Sequence, residues 1–447
     1  MKNFNIKFII AGIVLILLFG AIGIYELVIK ENKPNNNDNP IVEKDDKPNI
    51  ENDDKKDNIN VNEFNYKIIR EVNNNYNSNY MISPMSIAYA LSILKDGAKN
   101  NTKSQLSILL NNYKLDNTYS IKDRIGIANT LFIRESNKKY IDENYITKIQ
   151  KNYNSDLLID EFKTPKVIND WISEKTFNMI NNTIDKLSSD FTLGIANAIA
   201  IDVEWKNKFE CNRTTEKEFT LIDGKKMTTP MMRSSNDVSY IESDKAKGII
   251  KDYKIYDKNT GEAVSEENKD TVALEYIAIL PNDNIHEYIN NFDNNEFNKL
   301  LNSKKKSNEN LDIIYSIPRY TYDFNYDKFV SSLKTLGLKD MFNPNVSDFS
   351  NMLSETAKKD KFRLYVSEAI HKSHIEFSEN GTKASAVTVI IMDKNAAMIN
   401  DKEIINIEFN KPFLYIIKEK NSNKIWFFGT VYSPDKWTNN SNKCEVK

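Results

Sequence analysis

Residues 379–392 read ENGTKASAVTVIIM, and this stretch carries the most informative pattern in the chain. Gly381 can act as a hinge because glycine accepts backbone angles that other residues avoid. In an extended strand, alternate residues lie on one face. From residue 382 onward, one face is uncharged and begins with three small side chains: Thr382, Ala384, Ala386, Thr388, Ile390 and Met392. The composition of this stretch alone predicts an ordinary buried strand, with Lys383 of the opposite face near a rim.

The next ten residues, DKNAAMINDK at 393–402, are mostly polar. They separate two runs, 375–392 and 404–417, that are rich in β-branched and aromatic residues and resemble central strands. A polar segment of this length between two such runs weighs against an ordinary core strand at 382–392.

Outward from this stretch, the periodicity of the apolar residues changes along the chain. Earlier segments have helical spacing, and the first of them follows Ser83-Pro84 and ends at Gly97. The predicted helices cover 85–94, 102–110 and 167–184. Later segments predict strands at 195–205, 271–280 and 311–320, and a hairpin formed by 413–418 and 424–431. Helices followed by strands predict an α+β fold, with helices around a large central mixed β-sheet.

The N-terminal residues predict export from the cytoplasm. Lys2 and Lys7 precede an apolar run at 8–25, and 18 helical residues rise about 27 Å, close to the hydrocarbon thickness of a bilayer. The run is longer than most cleaved signals, so residues 1–30 are predicted to be a membrane anchor, with a cleaved signal as the alternative. In both cases the positive flank stays inside and the body lies outside.

The remaining composition sets the domain organisation. Residues 31–60 are almost all polar and predict a disordered linker, residues 61–437 predict one domain, and residues 438–447 form a polar tail. The net charge of -2 gives no reason to expect a nucleic-acid partner. Cys211 and Cys444 could pair outside the cytoplasm but do not make a disulfide framework. With three histidines in the chain, we expect no metal site and no cofactor.

Six segments in a fixed order resemble the serpin family of serine protease inhibitors. The resemblance covers roughly residues 64–434. It rests on ISPMSI at 82–87, NAI at 197–199, LGL at 336–338, His371-Lys372, ENGTKASA at 379–386 and FNKPF at 409–413. The resemblance implies the serpin fold, with further β-sheets and an exposed reactive-centre loop, in a membrane-anchored or secreted bacterial member.

The resemblance also implies a mechanism without a catalytic site of its own. In that family a target serine protease attacks the loop and forms an acyl-enzyme. The cut strand then inserts into the central sheet, and the protease is trapped in a covalent complex. The uncut protein is therefore expected to be metastable and, as a partner of one protease, monomeric. The residues carried over to the hinge are Glu379, Gly381, Thr382, Ala384, Ser385 and Ala386. The acidic residue that family inhibitors usually have at the position of Lys383 is missing.

The position of the reactive bond stays open. Counting from Glu379 by the usual hinge length of the family places the bond after Asn395, or after Lys394 if the hinge is one residue shorter. Counting back from Phe409 gives a later position, so the loop is longer than usual on its C-terminal side. Lys394 would suit a trypsin-like protease, and Ala396 or its neighbours would suit an elastase- or subtilisin-like one. We favour Lys394-Asn395.

A polar cluster is also carried over by position. Ser83, Ser86, Asn197 and His371 match the residues beneath the sheet where strands separate in the family. Hydroxyl, amide and imidazole groups can exchange partners as strands separate, so that few polar groups are left unpaired. The alternative is that each is a buried polar residue with satisfied hydrogen bonds and no further role.

Three other functions compete with inhibition. A non-inhibitory serpin could act as a surface binding protein, although its expected bulky, charged or proline residues are missing from the hinge. An enzyme is disfavoured, because the sequence lacks the nucleophile-elbow, zinc-protease, P-loop and dinucleotide-binding motifs. A structural surface protein whose linker is the main feature is the third possibility.

Overall fold

The structure is a computed structural model that describes residues 60–115, 121–181, 184–187, 191–382, 402–420, 422 and 424–438. All of these belong to one compact unit. The described residues form nine α-helices and nineteen β-strands, and the strands make three sheets.

The helices are α1 Glu63–Asn75, α2 Pro84–Gly97, α3 Asn100–Leu110, α4 Glu143–Tyr153, α5 Lys166–Lys175, α6 Ile285–Asn290, α7 Asn294–Asn302, α8 Phe329–Thr335 and α9 Glu355–Lys359. The strands up to residue 264 are β1 Tyr80–Ile82, β2 Ile125–Arg134, β3 Asp156–Asp160, β4 Leu193–Ile201, β5 Val203–Glu204, β6 Thr214–Thr220, β7 Lys226–Ser235, β8 Ser239–Glu242, β9 Ala246–Asp257 and β10 Ala263–Val264. The later strands are β11 Thr271–Pro281, β12 Lys305–Lys306, β13 Leu311–Pro318, β14 Tyr320–Asn325, β15 Val366–Phe377, β16 Gly381–Thr382, β17 Glu403–Glu408, β18 Phe413–Glu419 and β19 Ile425–Val431.

The three sheets differ in size and in strand direction. The eight-stranded sheet has the order β1-β19-β18-β11-β9-β8-β12, with β10 paired to β9, and its pairs are antiparallel. The four-stranded sheet has the order β17-β13-β7-β6. The seven-stranded sheet has the order β3-β2-β4-β15-β16-β5, with β14 paired to β15, and it mixes parallel and antiparallel pairs.

Helix α2 joins the helical part of the molecule to the sheets. Ser83 caps its N-terminus by accepting a hydrogen bond from the backbone N–H of Ser86, and Pro84 occupies the first turn, where its missing N–H costs nothing. Every residue from Pro84 to Leu94 is buried, so the helix is apolar on all sides and lies within the core.

The α+β prediction is confirmed, and so is the hairpin, because β18 and β19 pair antiparallel. The order of helices before strands is wrong, since β1, β2 and β3 all precede residue 161. The helix predicted at 167–184 ends at Lys175, and Phe177 and Asn178 beyond it have φ values of +53° and +60°, which cannot continue a right-handed helix.

Three predicted strands have different bounds in the structure. The strand predicted at 375–392 begins nine residues earlier, at Val366, and is interrupted after Phe377, because the chain turns back at residues 378–380. Gly381 and Thr382 form β16, and residues 383–392 of this prediction lie outside the described part of the chain. The run 311–320 is split into β13 and the start of β14, which pair in different sheets. The run 404–417 is interrupted between Glu408 and Phe413, where Pro412 cannot donate a ladder hydrogen bond.

Residues 1–59 and 439–447 lie outside the described part of the chain, so the anchor, most of the linker and the tail stay predictions. Cys211 begins a short 3₁₀ helix, whereas Cys444 is outside the described residues. Across the described ranges, no helix combines the length and the apolar character that a membrane span requires.

Candidate functional site

The seven-stranded sheet contains one pair of neighbouring parallel strands at its centre. β4 and β15 run parallel from the Leu193–Val366 pair to the Ile199–Ser373 pair. Their other long neighbours, β2 and β14, run antiparallel to them. A further strand placed between β4 and β15 could therefore pair antiparallel with both of them, which is the more stable of the two ladder types.

The start of such a strand is present where the β4–β15 ladder ends. After Phe377 the chain turns, and Thr382 pairs antiparallel with Phe377 in β15. On its other side, β16 pairs antiparallel with β5, which continues the direction of β4. The two residues Gly381 and Thr382 thus lie between β15 and the extension of β4.

The turn at 378–380 is held by backbone contacts from the segment that follows β5. The backbone N–H of Trp205 donates to the carbonyl oxygen of Asn380 over 3.0 Å, and that of Phe209 donates to the carbonyl oxygen of Glu379 over 3.0 Å. The indole N–H of Trp205 donates to the carbonyl oxygen of Ser378 over 2.9 Å. These three bonds fix the point from which residue 381 enters the sheet.

The side chain of Glu379 is buried and accepts hydrogen bonds. Only 3 % of the residue is exposed. Its Oε1 accepts hydrogen bonds from Arg319 Nη2 and from Thr214 Oγ1, each over 2.6 Å. A buried carboxylate requires such partners, because removing a charge from water is costly. Arg319 and Thr214 therefore position Glu379. Sequence reasoning missed both residues, because they lie 60 and 165 positions away from Glu379 along the chain.

Gly381 and Thr382 are both fitted closely to their surroundings. A Cβ atom on residue 381 would lie 2.1 Å from the carbonyl oxygen of Val203, so only glycine allows the backbones to approach this far. The hydroxyl of Thr382 is buried and hydrogen-bonds with the hydroxyl of Tyr253 over 2.6 Å. Burial raises the pKa of Tyr253, so this hydroxyl stays neutral.

Trp205 packs against the residues next to this turn. Its ring is stacked on Tyr253, with centroids 4.3 Å apart, and lies edge-on to Phe209 and Phe377. The residue is completely buried and belongs to the core. It also donates the hydrogen bond to Ser378, so it both packs the core and holds the turn.

The structure brings the four residues of the predicted polar cluster together. Asn197 in β4 is the register partner of His371 in β15, and Nδ1 of His371 lies 3.2 Å from Oδ1 of Asn197. The amide nitrogen of Asn197 donates to the hydroxyl of Ser86. Ser83 contacts Ser86 through the helix cap described above. The cluster thus joins the N-terminus of α2 to the two parallel strands.

Asn129 is a fifth member that sequence reasoning missed. It lies opposite Asn197 in β2, and its Oδ1 accepts a hydrogen bond from Asn197 Nδ2 over 2.8 Å. A polar row therefore crosses three adjacent strands. Only the strand register reveals this row, since an asparagine in a single strand sequence gives no signal of its partners.

His371 is neutral in this environment. It is 1 % exposed, and burial lowers its pKa to about 3. Since Asn197 Oδ1 can only accept, Nδ1 of His371 carries the proton. Its Nε2 has no hydrogen-bond partner within the described residues. This free acceptor is available to a new partner if β4 and β15 separate.

A buried lysine packs against Trp205 and Phe209, the two residues that hold the turn at 378–380. The side chain of Lys251 in β9 is 2 % exposed and forms a salt bridge with Asp237. Its ammonium donates to the hydroxyl of Tyr315 over 2.9 Å and lies 4.6 Å from the centre of the Phe209 ring. Burial lowers the pKa of Lys251, and the neighbouring Asp237 carboxylate opposes this effect. No sequence pattern indicated this residue, because a lysine in a strand is usually exposed.

The other predicted site residues lie outside the described residues. These are Ala384, Ser385 and Ala386 of the hinge and Lys394, Asn395 and Ala396 around the reactive bond. Within the parts of the chain that the structure describes, no group of His, Cys, Asp or Glu side chains could hold a metal ion.

Comparison with known proteins places this geometry in a family. The family model for Serpin (serine protease inhibitor) matches residues 59–434. The leukocyte elastase inhibitor of Xenopus tropicalis is 28% identical over 398 residues, which cover 83% of this chain and 97% of that protein. A serpin-like protein of Methanosarcina mazei is 28% identical over 393 residues, which cover 83% of this chain and 84% of that protein.

Solved structures agree with the sequence comparison. The crystal structure of the thermophilic serpin tengpin in the native state superposes with a TM-score of 0.69 at 26% identity, covering 88% of this chain and 97% of that one. A complex of thyroxine-binding globulin with thyroxine shares the fold, with a TM-score of 0.65 at 18% identity, and covers 83% of this chain and 98% of that one. Because the family match spans most of the sequence, the chain belongs to the serpin family.

Proposed function

We propose that this serpin inhibits a serine-type endopeptidase outside the cytoplasm by acting as a suicide substrate. The observation that supports this proposal best is the position of Gly381 and Thr382 between β15 and β5, at the end of the parallel β4–β15 ladder. They are the first two residues of a strand that has its antiparallel neighbours on both sides, and residues 383–392 can continue it once the loop is cut.

The free energy for trapping comes from the hydrogen bonds that this strand forms when it enters the sheet. About a dozen newly paired residues, at roughly 0.5–1.5 kcal/mol per net hydrogen bond, supply on the order of 10 kcal/mol. This equals the stability of a whole domain. The uncut chain is therefore metastable, and the inserted form is the more stable one.

Trapping depends on the protease remaining attached while the strand moves. The serine of the protease forms an ester with the carbonyl carbon of the residue before the cut bond, and the new amino terminus leaves. Insertion of residues 383–392 then carries the ester-linked protease away from its docked position. We assign the cut to Lys394-Asn395, which suits a trypsin-like protease, with Ala396 as the neighbouring position for an elastase- or subtilisin-like one.

We propose further that residues 1–30 hold the monomeric inhibitor at the outer face of a membrane and that residues 31–60 serve as its tether. The motivation is the apolar run at 8–25 with Lys2 and Lys7 before it. Its role there would be to protect the cell envelope from foreign proteases. Finding the full-length chain in the cytoplasmic fraction of its cells would refute this localisation.

The decisive experiment mixes the chain with trypsin, subtilisin and elastase separately and resolves the products on denaturing gels. We expect a covalent band near the summed mass with at least one protease, and an intact-mass measurement of the released C-terminal peptide locates the cut. Cleavage at 393–399 with neither a complex nor a gain in melting temperature would overturn inhibition in favour of a non-inhibitory surface binding protein.

A hinge variant provides the matched control. In Ala384→Arg a long charged side chain must enter the sheet early during insertion, which slows the insertion relative to deacylation. This variant should be cleaved at the same bond without forming the covalent band. Ala384→Ser keeps the side chain small and should form the band as the wild type does.

A further inference from the structure

A cleft of about 1100 Å³ lies on one face of the four-stranded sheet. Its base is formed by residues of β6, β7, β13 and β17, and its wall by Lys247 at the start of β9 and by Leu280 and Pro281 at the end of β11. This cleft is separate from the turn at 378–380 and from the polar cluster, and the mechanism proposed above does not use it.

The charge of the cleft differs from that of the whole chain. The cleft is lined by five basic side chains and one acidic one, whereas the chain has a net charge of -2. The basic residues are Arg213, Lys217, Arg233, Lys247 and Lys411, and the acidic one is Glu408. We call this surface the basic cleft.

Acidic side chains of the protein itself neutralise these positive charges poorly. Glu210 lies 3.4 Å from Arg213, but both side chains are at least half exposed, so the pair contributes little. The ammonium of Lys411 donates to the backbone carbonyl oxygen of Asn282 over 2.7 Å. Burial lowers the pKa of Lys411. Of the charged neighbours of Lys411, Asp283 raises this pKa and Lys247 lowers it. Crowded cations of this kind create a positive potential that an external anion can relieve.

Two elements connect the basic cleft to the ends of the segment 383–401. At one end, β17 begins at Glu403, and its residues Asn406, Ile407 and Glu408 line the cleft. At the other end, Arg213 in the cleft directly precedes Thr214, whose hydroxyl holds Glu379. Three strand residues from Glu403 to Asn406 span about 10 Å, which is less than the width of a protease, so a protease bound to the segment 383–401 can reach this surface.

We propose that the basic cleft is a second docking surface for the target protease, and that it selects proteases with an acidic surface next to their active site. The inference rests on the proposed inhibitory function and adds a determinant of specificity to it. Leu280, Pro281 and Ile314 also line the cleft and offer apolar contacts, which a protein surface uses better than a sulfated polysaccharide does.

Complementary charge at this position acts on the rate of encounter. Electrostatic steering raises association rates by about 10-fold to 1000-fold and is suppressed by salt. It leaves the later steps, which are cleavage and strand insertion, unchanged. The basic cleft should therefore alter how fast the loop is attacked and not the fraction of attacks that end in a covalent complex.

The test uses two isoforms of trypsin, one of acidic and one of basic isoelectric point. The measured quantity is the second-order rate constant for loss of intact chain, normalised to the activity of each isoform on a small chromogenic substrate. At low ionic strength we expect the acidic isoform to react about 10-fold faster than the basic one. In about 1 M salt, where the Debye length is roughly 3 Å, this difference should largely disappear.

The variant Lys217→Glu/Arg233→Glu reverses two exposed charges of the basic cleft. It should lower the rate with the acidic isoform by about 10-fold or more and leave the rate with the basic isoform equal or higher. The matched control is Lys103→Glu/Lys151→Glu, which makes the same charge change at exposed positions of α3 and α4. The control should behave as the wild type.

Two outcomes would overturn the proposal. The first is an equal effect of the two variants, or no effect of either. The second is unchanged protease rates together with loss of binding to immobilised heparin in the cleft variant alone, which would make the cleft a polyanion site. Failure of inhibition is visible separately, since a chain that is cut without forming a complex still yields the rate constants.

Discussion

At the scale of single residues, His371 links the stability of the sheet to pH. It is buried and neutral, with a pKa lowered to about 3 by burial, whereas an unfolded histidine titrates near 6.5. Between these values the unfolded chain binds a proton that the folded chain does not. The contribution of His371 to the free energy of unfolding is therefore fully present above about pH 6.5. Below that pH it falls by about 1.4 kcal/mol per pH unit.

We predict that His371→Gln removes this part of the pH dependence. The measurement is the urea midpoint of the first unfolding transition between about pH 4.5 and 7.5. The variant should show a shallower loss of stability toward acid than the wild type does. Asn129→Ala is the control, because it removes a member of the same polar row that does not titrate, and it should keep the slope of the wild type. Equal slopes for the wild type and His371→Gln would contradict the assignment.

Lys251 and Asp237 form the second informative pair of residues. With 2 % of its side chain exposed, Lys251 would be left as an unpaired buried charge if its carboxylate partner were removed. Such a loss costs about 3–5 kcal/mol, whereas replacing both charges by uncharged groups of similar volume is often neutral or stabilising.

We therefore predict that Asp237→Asn is strongly destabilising and that Lys251→Met in the same chain restores most of the loss. The measurement is a double-mutant cycle of urea midpoints. Because Phe209 touches Lys251 and holds the carbonyl of Glu379, Asp237→Asn should also speed proteolysis at the turn 378–380. Additive effects of the two substitutions would show that the pair is not coupled.

At the scale of elements, the β4–β15 ladder must open for a strand to enter. Ala196 and Ile370 are register partners across this ladder and lie on the face opposite Asn197 and His371. Neighbouring strands are about 4.8 Å apart, close enough for a disulfide. A covalent link at this position would keep the two strands paired.

We predict that Ala196→Cys/Ile370→Cys, made in a Cys211→Ser/Cys444→Ser background, converts an inhibitor into a substrate when oxidised. Reduction should restore the covalent complex with protease on denaturing gels. The control is Ala128→Cys/Ala198→Cys, which links β2 to β4, because a strand that enters between β4 and β15 would leave that ladder closed. Inhibition by the oxidised Ala196→Cys/Ile370→Cys chain would mean that the inserting strand enters elsewhere.

At the scale of the whole molecule, the proposed mechanism requires that the native arrangement store free energy and that a cut in the loop release it. Pairing of about a dozen inserted residues provides on the order of 10 kcal/mol. A change of this size shifts the melting temperature of a large domain by tens of degrees, since each kcal/mol corresponds to roughly 2–4 °C.

We predict that one cut within residues 393–399 raises the melting temperature measured by circular dichroism by more than about 20 °C. A cut within residues 31–55 of the linker should leave it unchanged, because the folded unit begins at Lys56. An unchanged melting temperature after the loop is cut would indicate that the strand does not insert, whatever the protease.

The sequence by itself determined the family, the α+β class and the C-terminal hairpin. These follow from local patterns: ordered short motifs, helical or strand periodicity, and Asn421-Ser422-Asn423 between two apolar runs. Gly381 and Thr382 were also identified from the sequence, because small residues after a glycine form a pattern within a few positions of the chain.

The tertiary structure decided which distant residues meet. The parallel pairing of β4 with β15 joins segments about 170 residues apart. Glu379 meets Thr214 of β6 and Arg319 of the link between β13 and β14, and Lys251 meets Asp237 of the link between β7 and β8. The basic cleft likewise gathers cations from four separate segments. Contacts of this kind depend on strand register and sheet order, which are set by the packing of the whole core and leave no periodic signal in any single stretch of sequence.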